Sequence, residues 1–146
     1  MNISKIYFDQ INVQLQTGID IVDISHELQR LIKKSKIING TLNATVVGST
    51  GSITTIEFEP GVMEDLRRAI NRIAPPGLEY EHEKAWHDGN GHSHVQAALL
   101  GPSIALPIRK NRLITGMWQQ VVVINHDNKD RRRKVEITII GSAKEG

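Results

Sequence analysis

Four of the six histidines, His82, His87, His92 and His94, fall within thirteen residues, in the company of Glu81, Glu83, Asp88 and Asn90. Histidine changes charge near neutrality and ligates metals and anions, so this density is where proton transfer, metal ligation or anion contact is expected. An exposed polar loop with incidental histidines is the bland alternative. Spacing narrows the chemistry. The stretch His82-Glu83-Lys84-Ala85-Trp86-His87 is one residue too long for an HExxH zinc motif. On a helix, residues five apart lie about 140° from each other and do not meet on one ion. His92 and His94 would share a face only on a strand, whereas Val95, Ala98, Leu99 and Leu100 after them predict a helix, so one of the two is expected to face a site.

Two short loops offer anion chemistry. Asp88-Gly89-Asn90-Gly91 reads as a turn running into a helix, where backbone N–H groups and the helix dipole favour phosphate or carboxylate. Asp88 or Asn90 would equally serve as a simple N-cap there. Gly48-Ser49-Thr50-Gly51-Ser52 is also small enough to approach a phosphate, but it lacks the lysine of a P-loop and is followed by a strand-like segment. Arg131-Arg132-Arg133-Lys134 supplies cations.

The elements that must position these groups alternate without a repeat or a linker. Ile11, Val13 and Leu15 read as a half-buried strand, and Ile6 and Phe8 before them, in the opposite phase, predict a bulge near Asp9-Gln10. Ile21, Ile24, Leu28, Leu31 and Ile32 predict a helix capped by Asp20 or Asp23 and stopped by Asn39-Gly40. Strands follow through Leu42 to Val46 and Ile53 to Phe58. A second helix then carries Val62, Leu66, Ala69, Ile70 and Ile73 on one stripe up to Pro75-Pro76-Gly77. Glu79 to Ser93 reads as polar loop before the short helix, and three strands close the chain: Ile104 to Ile108, Gln119 to Asn125 and Lys134 to Ile140. The predicted fold is α+β, a β-rich, sandwich-like single domain over 1–146 with a mostly antiparallel sheet and two to three helices.

Composition bounds the function. With 146 residues and no cysteine, disulfides, thiolate nucleophiles, zinc fingers and iron–sulfur clusters are excluded, and any metal must sit on His, Asp or Glu. The N-terminus has no apolar leader and the longest apolar run, Val121 to Ile124, is far short of a membrane span, so a soluble, cytoplasmic protein without membrane contact is expected. Net charge is only +2, but it is uneven: residues 1–100 carry 9 Lys/Arg against 12 Asp/Glu, and residues 101–146 carry 9 against 4. The basic end suits a small anion. Nucleic acid is not expected, because none of the six aromatics interleaves with the arginine run. Val121 to Ile124, apolar on both faces, needs cover and hints at a homo-oligomer.

Taken in order, Tyr80-x-His82, Asp88-Gly89-Asn90, His94-Val95-Gln96-Ala97-Ala98-Leu99-Leu100-Gly101, Ser103, Pro107 and Gly116-Met117-Trp118-Gln119 resemble the YjbQ-like family of small uncharacterised proteins. Glu57 before Asp65-Leu66 and the closing Arg131 to Val135 strand extend the resemblance over nearly the whole chain. It implies a β-rich subunit assembled as a homotrimer, with polar clusters near subunit contacts. It also implies an activity attributed to some bacterial relatives, secondary thiamine-phosphate synthesis, in which hydroxymethylpyrimidine diphosphate and a thiazole phosphate give thiamine phosphate and pyrophosphate. His82, Asp88, Asn90 and His94 match the family's polar site, and Trp118 and Gln119 its signature strand. The chain departs from the pattern at Gly48, where relatives carry a histidine, and at Asn125, Asn111 and Met117, where they carry an acid, a glycine and a threonine.

The site expected from these readings has His82, Asp88 and His94 as catalytic residues, or as ligands of Mg²⁺ or another divalent metal. Asn90, Gly91, Gln119, Arg131 and Arg133 are expected to hold a small phosphorylated or anionic ligand. The expected function is a phosphate-ester-handling transferase; the alternative is an anion-binding trimer without efficient turnover.

Overall fold

The computed structural model describes residues 1–145. Its elements run β1 (Asn2–Leu15), β2 (Asp20–Asp23), α1 (Ser25–Ser35), β3 (Ile37–Val46), β4 (Gly51–Ile56), α2 (Pro60–Ile73), α3 (Glu81–Trp86), α4 (Gly91–Leu100), β5 (Ser103–Arg109), β6 (Arg112–Leu113), β7 (Gln120–Asn125) and β8 (Arg131–Lys144). A five-stranded sheet is ordered β1-β8-β3-β5-β6 and a three-stranded sheet β2-β7-β4, with every pairing antiparallel. This is the α+β class the patterning predicts, with four helices rather than two or three. No helix is long and apolar enough to cross a membrane among the described residues.

The main core lies between the two sheets and α1, where Leu28, Leu31 and Ile32 meet Leu42 and Ala44 of β3, Ile53 of β4, Val121 and Val123 of β7, and Ile137 and Ile139 of β8. The opposite face of the small sheet, Ile21, Val122 and Ile124, is covered by Met63 and Leu66 of α2 and Leu100 of α4. The cover that Val121 to Ile124 needs therefore comes from the chain's own helices, and this strand gives no cue to a partner.

Several local expectations are corrected. β1 pairs with β8 from Asn2↔Lys144 to Leu15↔Arg131 without a register shift, so no bulge interrupts it. Ile6 and Phe8 simply point outward, on the face opposite Ile11 and Val13. Ile21 belongs to β2, and α1 begins only at Ser25, whose N–H donates to Asp23 Oδ1 at 2.8 Å. Lys36, in the left-handed conformation, ends α1 before Asn39-Gly40 is reached. Gly40 instead lies in β3, where a Cβ would stand 2.0 Å from the Ile140 carbonyl oxygen, so this strand crossing requires glycine. On α2, Ile70 is buried but Ile73 is exposed, and the predicted polar loop contains α3.

Candidate functional site

The histidine cluster is built by the way α3 meets α4. A Cβ on Gly91 would lie 2.5 Å from Tyr80 Cβ, so the first turn of α4 packs against the start of α3 only because residue 91 has no side chain. His87 takes the left-handed conformation at the C-cap of α3 and turns the chain back. The Glu83 carboxylate then receives the N–H groups of Gly89 at 2.7 Å and Gly91 at 3.0 Å. This corrects the role expected of Gly91: a carboxylate of the chain itself stands where an anion was placed, and the glycine serves packing.

The fold sets His82 Nε2 3.1 Å from Asp88 Oδ1, and the His82 and His94 rings stand 4.6 Å apart between centroids, tilted by 47°. Desolvation pushes the Asp88 carboxyl up, but the Asn90 N–H and the His82 ring outweigh it and hold the group below its usual value, as a carboxylate at neutral pH. Such a carboxylate orients the imidazole it bonds. Asn90 does not face this group. Its buried Oδ1 accepts from the Ser93 hydroxyl and from the Asn128 N–H at 3.2 Å, and so ties α4 to the loop after β7.

His94 also lines a cavity of about 250 Å³ between α4 and the loop joining β3 to β4, walled by Gly48, Ser49, Gly51, Ala97, Ala98 and Pro102. Behind the loop lies Arg133, whose Nη2 donates to Thr50 Oγ1 at 2.6 Å and Asn125 Oδ1 at 2.7 Å. A Cβ on Gly48 would meet Arg133 Nη1 at 2.9 Å. Burial pushes the guanidinium pKa down while Asp127 pulls it up, and the group stays charged at neutral pH. Arg131 sits outside the cavity, half-exposed, with Nε 3.0 Å from Asp127 Oδ2.

Gln119 is not brought to this place. Its amide nitrogen donates to Thr55 Oγ1 at 3.1 Å, beyond the far end of a ladder that runs from Gly51↔Asn125 to Ile56↔Gln120. At about 3.3 Å per residue this is roughly 15 Å from the loop. The metal expectation meets a similar limit: among the described residues no three His, Asp or Glu side chains are grouped to hold an ion, so His82, Asp88 and His94 are neighbours without forming a ligand set.

His92 and His94 diverge, as two positions apart on a helix requires. His92 turns to a separate cavity of about 330 Å³ that includes Asn71, Gln96, His126 and Asp127. Sequence reasoning missed His126, Asp127, Ser52 and Gln96. His126 is buried with Nε2 2.7 Å from Ser52 Oγ and Nδ1 3.0 Å from Gln96 Oε1. Burial, then Arg133 and His92, lower its pKa to about 4. Desolvation raises the pKa of the buried Asp127 carboxyl, but hydrogen bonds from Thr50 and Arg131 outweigh it and hold the group low. The available signal was a polar run, Asn125-His126-Asp127-Asn128, directly after four apolar residues of a strand buried on both faces.

The cleft, the sheet order and the α3–α4 junction can now be set beside known proteins. The pattern of the UPF0047 protein YjbQ-like family matches residues 9–142. The chain belongs to the YjbQ-like UPF0047 family. A UPF0047 protein of Methanothermobacter thermautotrophicus is 26% identical over 137 residues, covering 94% of each chain. The UPF0047 protein YjbQ of Escherichia coli O157:H7 is 30% identical over 115 residues, 78% of this chain and 83% of its own. Among solved structures, a YbjQ-like protein of unknown function from Sulfolobus solfataricus superposes with a TM-score of 0.90 at 32% identity, covering 94% of this chain and 99% of that one. The family assignment carries a fold and a residue pattern.

Proposed function

We propose that the cleft between the Gly48 loop and α4 binds a small phosphorylated metabolite, with His82 as its proton carrier, Asp88 as the group that orients His82, and His94 as the residue joining that pair to the cavity. The observation carrying this reading is the His82–Asp88 hydrogen bond with His94 stacked beside it at the cavity wall. A carboxylate that holds an imidazole in one orientation aims its ring for proton transfer, and Arg133 adds a fixed positive charge behind the loop. The turnover to test is the transfer implied by family resemblance, in which the thiazole nitrogen displaces diphosphate from hydroxymethylpyrimidine diphosphate and the departing oxygen gains negative charge. Binding without efficient turnover is the second reading, favoured by the lack of a three-ligand set, among the described residues, to hold a divalent ion against a diphosphate.

A cytoplasmic setting suits such a ligand and a chain without cysteine. We also propose a homotrimer. Ile6 pairs with Ile140 across β1 and β8 on the outer face of the large sheet, and both are more than half exposed, next to Phe8 at 72%. Trp118 and Gln119, distant from their own histidines, would then reach a cluster only across a subunit contact. Calorimetric titration with thiazole phosphate, together with product assay on both thiamine precursors in Mg²⁺ buffer, tests the reading. Saturable binding is expected. Neither heat of binding nor product would overturn it.

A further inference from the structure

We infer that the free edge of β1 takes up an extended, basic peptide segment of another protein, which adds as a further strand in the groove between residues 10–14 and the start of α1. This goes beyond the ligand cleft and does not depend on it. β1 and β2 follow each other through a short loop, yet they do not pair, and each stands at the end of its own sheet. The loop is pinned: the Gln16 N–H donates to Asp20 Oδ2 at 2.8 Å, the Thr17 N–H to Asp130 Oδ1 at 2.7 Å and the Gly18 N–H to the Asp127 carbonyl at 3.0 Å. The two edges part from this fixed point, and residues 10–14 of β1 line one groove of about 500 Å³ with Val22, Asp23, Ile24, Glu27 and Arg30.

The backbone on that edge has no strand to pair with. The Val47 N–H donates to the Lys134 carbonyl at 3.0 Å, so Lys134 turns its backbone groups toward β3, and Asn12, opposite it on β1, turns its own away from β8. Alternation then sets Gln10, Asn12 and Gln14 outward, and the Gln10 N–H accordingly donates to the side chain of its own neighbour, Asp9 Oδ1, at 2.8 Å. The N–H and carbonyl groups of Asn12 and Gln14 bond to no protein atom among the described residues. Exposed edges are normally blunted by charge, proline or a bulge. Gln10-Ile11-Asn12-Val13-Gln14 carries neither charge nor proline, and its ladder with β8 is unbroken.

Charge selects the occupant. Arg30 is spent on Glu27 at 2.9 Å, and Asp23 pairs with no cation among the described residues. Asp23 also borders a second cleft with Glu57 and Glu59, which have no basic partner among them either. The groove and its continuation thus hold four carboxylates, Asp23, Glu27, Glu57 and Glu59, against the one guanidinium of Arg30, on a chain whose net charge is +2. An extended segment with lysine or arginine alternating with apolar residues answers both features: its backbone continues the ladder and its cations meet the acidic rim. No described segment of the chain is free to fill the place, because the described ends pair with each other at Asn2↔Lys144, about 26 Å of strand from Gln10.

The test is amide-resolved NMR on the intact wild-type protein, titrated with a short synthetic peptide of alternating lysine and valine and with its glutamate–valine counterpart. Saturable shifts and slowed hydrogen exchange of the Asn12 and Gln14 amides are expected with the lysine peptide, and the glutamate peptide should bind about ten-fold more weakly or worse. Asn12→Pro removes only an outward N–H, so it should keep the fold, as circular dichroism checks, and weaken the lysine peptide about ten-fold or more. Asp23→Asn keeps an oxygen for the Ser25 N–H and should weaken the peptide about two- to five-fold. Shifts at Glu57 and Glu59 without slowed exchange on β1 would reduce the groove to an acidic patch and overturn strand addition. Protection of Asn12 and Gln14 without peptide, rising with protein concentration, would make a second copy the occupant and overturn the foreign peptide. No response to the lysine peptide would overturn the inference outright and leave the proposed function untouched.

Discussion

His126 Nδ1 stands 3.0 Å from Gln96 Oε1, and this one contact fixes the tautomer of a fully buried imidazole. The Gln96 amide nitrogen already donates to the Ala74 carbonyl at 2.9 Å and to Asn71 Oδ1 at 3.1 Å, so Oε1 is the acceptor and His126 Nδ1 carries the proton. Nε2 then accepts from the Ser52 hydroxyl. The arrangement has the order of a nucleophile, a base and an orienting group, but Ser52 is fully buried and the three groups serve as a bolt between β4, α4 and the loop after β7.

That bolt predicts acid lability in a defined window. The folded pKa of His126, about 4, lies below the ordinary value of 6.5, so the unfolded chain binds the proton first. Stability is full above pH 6.5 and is lost as pH falls from there toward 4, by about 3 kcal/mol for this group. His92, lowered by desolvation, acts in the same direction. The carboxylates held low, Asp9 and Asp127 among them, add their losses only at more acid pH. Urea unfolding at pH 7.0 and 4.5 should show the drop, and His126→Gln should reduce it. A drop of the same size in the variant would show that other groups carry it.

Gly91→Ala should disturb the site through packing alone. The added Cβ meets Tyr80 Cβ at 2.5 Å, and neither helix backbone can yield without moving α3 from α4. A cost of about 1–3 kcal/mol is expected, and the His82 and His94 rings should separate. Thermal unfolding checks the cost, and the imidazole NMR shifts check the separation.

Glu83→Ala removes the acceptor shared by Gly89 and Gly91. Losing such a helix-terminal partner costs about 1 kcal/mol. The variant should also expose N–H groups at the start of α4, and a new weak phosphate response at Gly89 and Gly91 is the expected NMR signature. Unchanged stability would mean that water replaces the carboxylate at no net cost.

What the sequence disclosed follows physical lines. Period-two alternation marked β8, and the apolar stripe marked α1, because both bury one face against a core. The phase of β1 misled because Ile6 and Phe8 are apolar on the outward face, and patterning alone cannot say that an apolar residue is exposed. His82, Asp88 and His94 were legible because six and twelve residues of local chain bring them together. Ser52, Gln96 and His126 were not, since their contacts span 74 and 30 residues and depend on sheet pairing. Glu83 was hidden for another reason: a carboxylate before a glycine turn looks the same in sequence whether it caps a helix or faces water.

The last prediction separates His94 from His82. His94 lines the cavity wall and touches the His82 ring, whereas His82 is the residue bonded to Asp88. A charge-assisted hydrogen bond contributes about 1.5–3 kcal/mol, so His94→Ala should weaken a bound phosphate ester about ten- to a hundred-fold. His82→Ala should leave that affinity within a few-fold, because its nitrogen is spent on Asp88, yet it should abolish any turnover of the thiamine precursors by about 10²-fold or more. Asp88→Asn should keep binding and lower turnover across the pH range, since the imidazole loses the carboxylate that orients it. Calorimetry gives the first comparison and initial rates across pH give the other two. If His82→Ala weakened binding as much as His94→Ala, the division of the pair into a proton carrier and a ligand contact would fail, and both rings would have to be assigned to the ligand.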